Sequence, residues 1–550
     1  MTRATFVFCA IACAACASPS ESPSPSSLGV PAGVSADTLL DEISTLASDE
    51  FEGRLPGSQG EERTVEYLVE RFSAAGAVPG NPDGTWVQGV PLVGITPAAG
   101  ATLDVSRGEE ARSFQPGADY VAYTKRVVDE VALDGEFVFV GYGAVAPEYD
   151  WDDFKGMDVR GKILLFLVND PPLEDIFGGR AMTYYGRWTY KHEIAAERGA
   201  AGAFVIHEEG PAGYPWEVIG GSPHGEQFDL VAEDRNMGRA AVEGWVQRAT
   251  AEALFAMAGL DFETEKAKAA ERGFRPVPLG VRGRTAIRNT LREVTSRNVV
   301  AKVEGEGAPD ELVIYSAHWD HLGRDTSLEG DQIFNGAADN ATGTAGLVEL
   351  ARAFAQAPQR PRRSVLFLAV TAEEQGLLGA RYYAENPLYS PADTVAAINM
   401  DVLNQWGRTR DLTVVGMGQS ELDEIAGAAA QALGRVLVPD PEPEKGFYYR
   451  SDHFQFAKAG IPAFYADPGI DYLDKPEGYG LQKREEYTST DYHAVSDEVK
   501  PDWDLSGAVE DLAFFYHFGA SLAARNDWPQ WSETSEFRAI REAQRPSSAP

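Results

Sequence analysis

Leu312-Val313-Ile314-Tyr315-Ser316-Ala317, followed directly by His318-Trp319-Asp320, decides how this chain folds. The run is almost continuously apolar, with no polar alternation, and such runs suit strands buried on both faces of a sheet covered by helices. Two later stretches have the same character: Val365-Leu366-Phe367-Leu368-Ala369-Val370 and Val395-Ala396-Ala397-Ile398-Asn399-Met400. Between the first two, residues 343–356 place Leu347, Leu350, Ala351 and Phe354 on one side of a helix. From about residue 293 onward the pattern therefore predicts an α/β fold with a mostly parallel central sheet.

Polar groups follow each of these strands. His318 and Asp320 come after the first, Glu373-Glu374 after the second and Asp401 after the third. In an open α/β sheet, ligands bind beyond the carboxyl ends of the strands. Each residue alone has an ordinary reading: a hydrogen-bonding histidine, a helix-start acid pair, or a cap in the case of Asp339 within Gly336-Ala337-Ala338-Asp339-Asn340-Ala341-Thr342-Gly343. Independent placements of that kind would rarely converge on one rim. Several carboxylates gathered there repel one another unless a cation compensates them.

The flanking regions differ in texture. Leu39, Leu40, Ile43 and Leu46 recur at helical spacing behind Asp37, a candidate N-cap, and a second helix is expected over 61–75 with Val65, Leu68, Val69 and Phe72 on one face. Asp49-Glu50-Phe51-Glu52-Gly53-Arg54-Leu55-Pro56-Gly57-Ser58 between them reads as a loop rich in turn residues. From about 115 to 285, strand-like runs at 136–140, 162–168 and 203–206, with one helix at 190–198, suggest an inserted β-rich module without a catalytic constellation of its own. The stretch after about 526 is polar and is expected to fray.

The 550 residues carry 84 acidic against 48 basic side chains, a net charge of −36, which repels phosphate backbones and argues against nucleic acid as a partner. The three cysteines are Cys9, Cys13 and Cys16, so any transition metal in the folded part is held by histidine and carboxylate. Met1-Thr2-Arg3 and the apolar run 6–15 read as a secretory signal, too short to span a membrane. Cys13-Ala14-Ala15-Cys16 reads as a lipoprotein processing box, although Ala15-Cys16-Ala17 also fits plain cleavage, and Ser18–Ser27 reads as a flexible tether. The expected division is a signal at 1–16, a tether at 17–35, a first domain part at 36–115, the insert at 116–285, the catalytic part at 286–525 and a tail at 526–550. The expected location is the cell envelope through a lipid anchor, or outside the cell.

H-x-D, G-A-x-D-N-A-x-G, an apolar strand before E-E-x-G-L-x-G, N-x-D, and S-D-H followed later by Y-H together resemble the co-catalytic di-zinc exopeptidase family, which includes bacterial leucyl aminopeptidase and glutamate carboxypeptidase II. The resemblance covers about 36–115 and 290–525, and the middle section resembles the protease-associated domain inserted in many members. It implies two zinc ions bridged by Asp339, one completed by His318 and Asp401 and the other by Glu374 and His493. It further implies Glu373 as general base and Asp320 as the group that holds the His318 imidazole. Ala338 departs from the family, many members having an acid there. His453 in Ser451-Asp452-His453 competes with His493 for the last ligand place, and His321 is read as a neighbour. Tyr492 is a candidate for binding the carbonyl oxygen or the tetrahedral intermediate. The activity so implied is an aminopeptidase acting on peptides, with a carboxypeptidase as rival, for which Arg450 or Lys445 would bind a terminal carboxylate, and a non-catalytic binding protein as the remaining alternative.

Overall fold

A computed structural model describes residues 29–98, 100–173, 176–221 and 226–545. The signal, lipobox and most of the tether fall outside these residues.

The expected strands form the centre of one sheet. Ala308–His318 lies between Arg363–Val370 and Thr394–Asn399, parallel to both, and Ala463–Pro468 continues parallel to Thr394–Asn399. On one side the end of Val277–Val303 pairs antiparallel with Arg363–Val370 and, in turn, with Val87–Pro97; on the other, Asp411–Val415 pairs antiparallel with Ala463–Pro468. Leu312, Val313, Ile314, Val365, Leu366, Phe367 and Ile398 are all fully buried. Each such side chain contributes roughly 1.5–3 kcal/mol of transfer free energy, which is why the runs contain no alternation. Because the central strands are parallel, His318, Val370 and Asn399 end at one edge, and the loops that follow them share that edge.

The helix Thr342–Ala355 packs on this sheet and is buried nearly all round, not on one face alone. The N-terminal helices are Ala36–Leu46 and Gln59–Ala75. The first is capped by Ser35, whose hydroxyl accepts from the Thr38 amide, and not by Asp37, which lies inside the first turn. The presumed loop between them contains a short 3₁₀ segment, Asp49–Arg54.

The second sheet is mixed and has a parallel centre: Glu130–Phe139, Ile163–Leu167, Gly202–His207 and Val242–Gln247 run side by side. It already includes Leu103–Arg107 and Glu110–Phe114, so it begins ahead of residue 116, whereas Gln227–Leu230 pairs back into the first sheet. The long strand Val277–Val303 belongs to both sheets, joining them through continuous backbone. The tail does not fray over its described length. Trp531 and Phe537 enter the core, and the helix Arg538–Gln544 docks through Arg541 on the carbonyls of Pro391 and Thr394. Its apolar anchors are too widely spaced to read as periodic.

Candidate metal centre

Five chain segments converge where the parallel strands end. His318 Nε2 lies 3.2 Å from Asp339 Oδ1 and 3.3 Å from Asp401 Oδ1. His493 Nε2 lies 2.9 Å from Glu374 Oε2 and 3.5 Å from Asp339 Oδ2. Each oxygen of Asp339 thus faces a different imidazole. Glu373 is adjacent, its Oε2 3.9 Å from His318 Nε2.

Local sequence explains how each group is held. Gly336 has φ 56°, and a Cβ there would stand 2.4 Å from the Asp339 carbonyl and 2.5 Å from His321 Cγ, so only glycine permits the turn that presents Asp339. Asp497 accepts from the amides of Ala338 (2.9 Å) and Asp339 (3.1 Å), and the Asn340 side chain donates to the Met400 carbonyl while accepting from Gly343 and Val402. Asn340 therefore ties the Asp339 turn to the Asp401 segment. Asp401 accepts from Ser451 at 2.6 Å, Ser451 from Asn399, and Asn399 from Ser316, a relay that fixes the carboxylate from behind.

Asp320 acts differently from the sequence expectation. The His318 Nδ1–H donates to the backbone carbonyl of Asp320 at 3.1 Å, while its carboxylate oxygen is 3.8 Å away. That carboxylate instead accepts from the amides of Glu373 (3.0 Å) and Glu374 (3.4 Å) and so fixes the acid pair. His493 is gathered into the cluster, whereas His453 is fully buried between the rings of Tyr448 and Tyr465 with no hydrogen-bond partner on either nitrogen. Burial lowers its pKa to about 3 and keeps it neutral. Tyr492 stacks on His493 at 3.9 Å, its hydroxyl 3.4 Å from Arg450 Nη2.

Sequence reasoning assigned no function to Arg54. It is 1 % exposed and donates to the carbonyls of Leu46, Trp319, Asn335 and Gly336. Two of these, Asn335 and Gly336, open the turn that leads to Asp339, and a third directly follows His318. A guanidinium inside a turn-rich loop carries no local signal of burial.

The electrostatics are those of a site built around positive charge. Burial opposes protonation of His318 and His493, but Glu373, Asp401 and Asp339 raise the first well above the usual histidine range, as Glu374, Tyr492 and Asp339 do the second. Burial works against ionised Glu374, yet His493 and His321 hold it down to about 2. Burial together with Asp401 and Glu374 raises Glu373 well above the ordinary carboxyl value, against the attraction of His318. Asp452, fully buried with neither carboxylate oxygen hydrogen-bonded, is also raised well above it by burial, despite His318. The donors are imidazole nitrogen and carboxylate oxygen only, a set that suits zinc. Donor atoms within 4.8 Å of one another occur in the groups His318–Asp339–Asp401 and His321–Asp339–Glu374, and both nitrogens of His493 lack a geometrically sound hydrogen bond. The residues present therefore fit a metal.

Residues 298–516 match the model of peptidase family M28. Aminopeptidase NAALADL1 of Mus musculus is 35% identical over 138 residues, 24% of this chain and 17% of that protein. A Pyricularia oryzae protein named "Probable zinc metalloprotease" is 36% identical over 107 residues, 19% of this chain and 20% of its own length. The matched stretches thus span about a fifth of these relatives. The solved aminopeptidase from Aneurinibacillus sp. strain AM-1 has the same fold, with a TM-score of 0.52 over 90% of this chain and 95% of its own at 19% identity. The matched residues 298–516 contain the whole cluster from His318 to His493, so it is in the part of the chain that holds this cluster that the similarity to peptidase family M28 lies.

Proposed function

We propose that the protein is an exported zinc-dependent exopeptidase that removes N-terminal residues from peptides. The observation that carries this reading is Asp339, whose two oxygens face His318 and His493 at the centre of the carboxylate cluster. His318, Asp339 and Asp401 would hold one zinc ion and Asp339, Glu374 and His493 a second. When bound, such a pair polarises a carbonyl and acidifies a water. Glu373 holds the transferred proton: its carboxyl is buried and crowded by Asp401 and Glu374, which favours the protonated form once it has taken a proton from water, and it delivers that proton to the leaving amine. Asp320 keeps Glu373 and Glu374 in their separate directions through their amides. Tyr492 and Arg450 line the cleft above the cluster, where a substrate carbonyl would lie.

One observation favours the carboxypeptidase reading as a second possibility. Arg187, from the second sheet's module, and Arg450 each have a buried guanidinium nitrogen without a partner, Nε and Nη1 respectively. The groups that act on Arg187 are Arg450 and tyrosines, not carboxylates, and burial lowers its pKa to about 10. Buried charge without compensation is costly, and a substrate carboxylate would supply the compensation. Both readings are tested by zinc analysis and hydrolysis of aminoacyl-nitroanilides, N-acetylated peptides with free C-termini, and C-terminally amidated peptides. The first reading requires cleavage of nitroanilides and amidated peptides and none of N-acetylated ones. If N-acetylated peptides are cleaved instead, Arg450→Gln is expected to raise KM for them about 10–100-fold, the loss of one charge-assisted hydrogen-bonding group. A chain without zinc and without activity on any of the three sinks both.

Export rests on the basic start, the apolar run 6–15 and Cys16. No helix among the described residues is long and apolar enough to cross a membrane. With Cys16→Ala, the protein is expected to leave the membrane fraction for the soluble one, and unchanged fractionation would remove the lipid anchor from the reading.

A further inference from the structure

His321 is fully buried beside the cluster and is not needed for the ligand set given above. Its Nδ1 lies 2.6 Å from Glu374 Oε1, while the other oxygen of the same carboxylate, Oε2, lies 2.9 Å from His493 Nε2. Nε2 of His321 is buried without a partner, so the ring makes one polar contact only, and it makes it to Glu374. The ring is locked in place. Gly336 leaves room for it, since a Cβ there would meet His321 Cγ and Cδ2 at 2.5 and 2.6 Å, and His493 meets it edge-on at 5.8 Å.

We propose that His321 is a positioning residue: its Nδ1–H donates to one oxygen of Glu374 and leaves that carboxylate a single oxygen to present toward His493 and the metal. The three polar residues of the His318-Trp319-Asp320-His321 turn then have separate tasks. His318 faces Asp339 and Asp401, Asp320 holds the amides of Glu373 and Glu374, and His321 fixes the Glu374 side chain. A carboxylate free to rotate offers two equivalent oxygens and binds in either manner. One whose outer oxygen is fixed by an imidazole N–H has lost that freedom before the ion arrives, and its loss weakens binding by an amount typical of groups that orient metal ligands. The consequence is confined to one of the two positions, because Glu374 belongs to only one of them. This inference rests on the two-zinc reading.

The experiment is titration of zinc alone into the metal-free full chain, with a competing chromophoric chelator, for the wild type and for His321→Leu, His321→Asn and His321→Ser. His321→Leu has similar bulk and no donor, and is expected to bind one of two zinc ions about 10–100-fold more weakly while the other is unchanged. His321→Asn places an amide N–H near the original Nδ1 and is expected to recover most of the loss. His321→Ser keeps a small side chain without the reach to Glu374 and is expected to bind like His321→Leu, which preserves the contrast if the leucine variant does not fold. Wild-type affinity at both positions in the leucine or serine variant overturns the assignment. So does an asparagine variant as weak as these two, since ring volume alone would then matter. A wild-type chain that takes up no zinc overturns the two-metal reading itself, which separates that failure from the failure of this assignment.

Discussion

Glu373→Gln is expected to retain the zinc content of the wild type and to lower kcat about 10²–10⁴-fold, on the order of 3–5 kcal/mol of transition-state stabilisation. Glutamine keeps the shape of the side chain and the backbone amide that donates to Asp320, so the geometry of Glu374 next to it is undisturbed. What glutamine removes is the carboxyl that burial, Asp401 and Glu374 together dispose to keep a proton. Glutamine is neutral and of the same shape, so it adds no repulsion beside Asp401 and Glu374, and the folded state should be no less stable than the wild type. Metal analysis, thermal melting and steady-state kinetics on one preparation distinguish the outcomes. Normal turnover in this variant would remove Glu373 from the chemistry. Loss of zinc with loss of turnover would mean that Glu373 is itself a ligand.

The strand ends were the legible part of this site. Leu312–Ala317 and its two companions are buried on both faces, so their sequences contain no polar alternation, and His318, Glu373, Glu374 and Asp401 follow where the apolar runs stop. Asp339 was legible through the glycine-bounded turn that carries it. The groups that hold these residues were harder to see, because they act over long sequence distances. Asp497 reaches back to the amides of Ala338 and Asp339, and Ser451 to Asp401. Nothing in Ser496-Asp497 or Ser451-Asp452 states locally which backbone it will meet. Asp320 was assigned to the correct neighbourhood but to the wrong partner, since a carboxylate two residues beyond a histidine can face either the ring or the next loop, and the position of the Glu373 amide decides it. The second sheet was read as having no catalytic constellation of its own; the interaction of its Arg187 with the charge of Arg450 arises between distant segments, where no local pattern could announce it.

Arg54 is the sharpest case of a residue whose role is invisible in sequence and dominant in the fold, and Arg54→Met is expected to destabilise the protein by about 3–5 kcal/mol and to abolish zinc retention. The side chain closes a gap between three segments. It donates to Leu46 at the end of the first helix, to Trp319 after the His318 strand, and to Asn335 and Gly336 at the start of the Asp339 turn. Gly53 beside it lets the chain approach closely, because a Cβ there would stand 2.4 Å from the Gly323 carbonyl and 2.5 Å from that of Phe334. Methionine fills similar volume and removes every donor, leaving the carbonyls of Leu46, Trp319 and Asn335 in a dry interior without their partner, each costing roughly 1–3 kcal/mol, while that of Gly336 keeps the Ala341 amide. The charge matters as well as the donors. Burial lowers the Arg54 pKa to about 10, against the attraction of Asp497, Asp320, Asp339 and Glu374, so the guanidinium is a counter-charge behind the carboxylates of the site. Arg54→Lys would keep that charge but not the planar fork that serves separate carbonyls, and it should recover a minority of the lost stability. Chemical denaturation of the metal-free wild type and both variants measures the first effect, and zinc retained after dialysis against a weak chelator measures the second. A methionine variant as stable and as metal-rich as the wild type would mean that the Asp339 turn and the His318 strand are held in register without Arg54, and that the carbonyls it meets are satisfied by water.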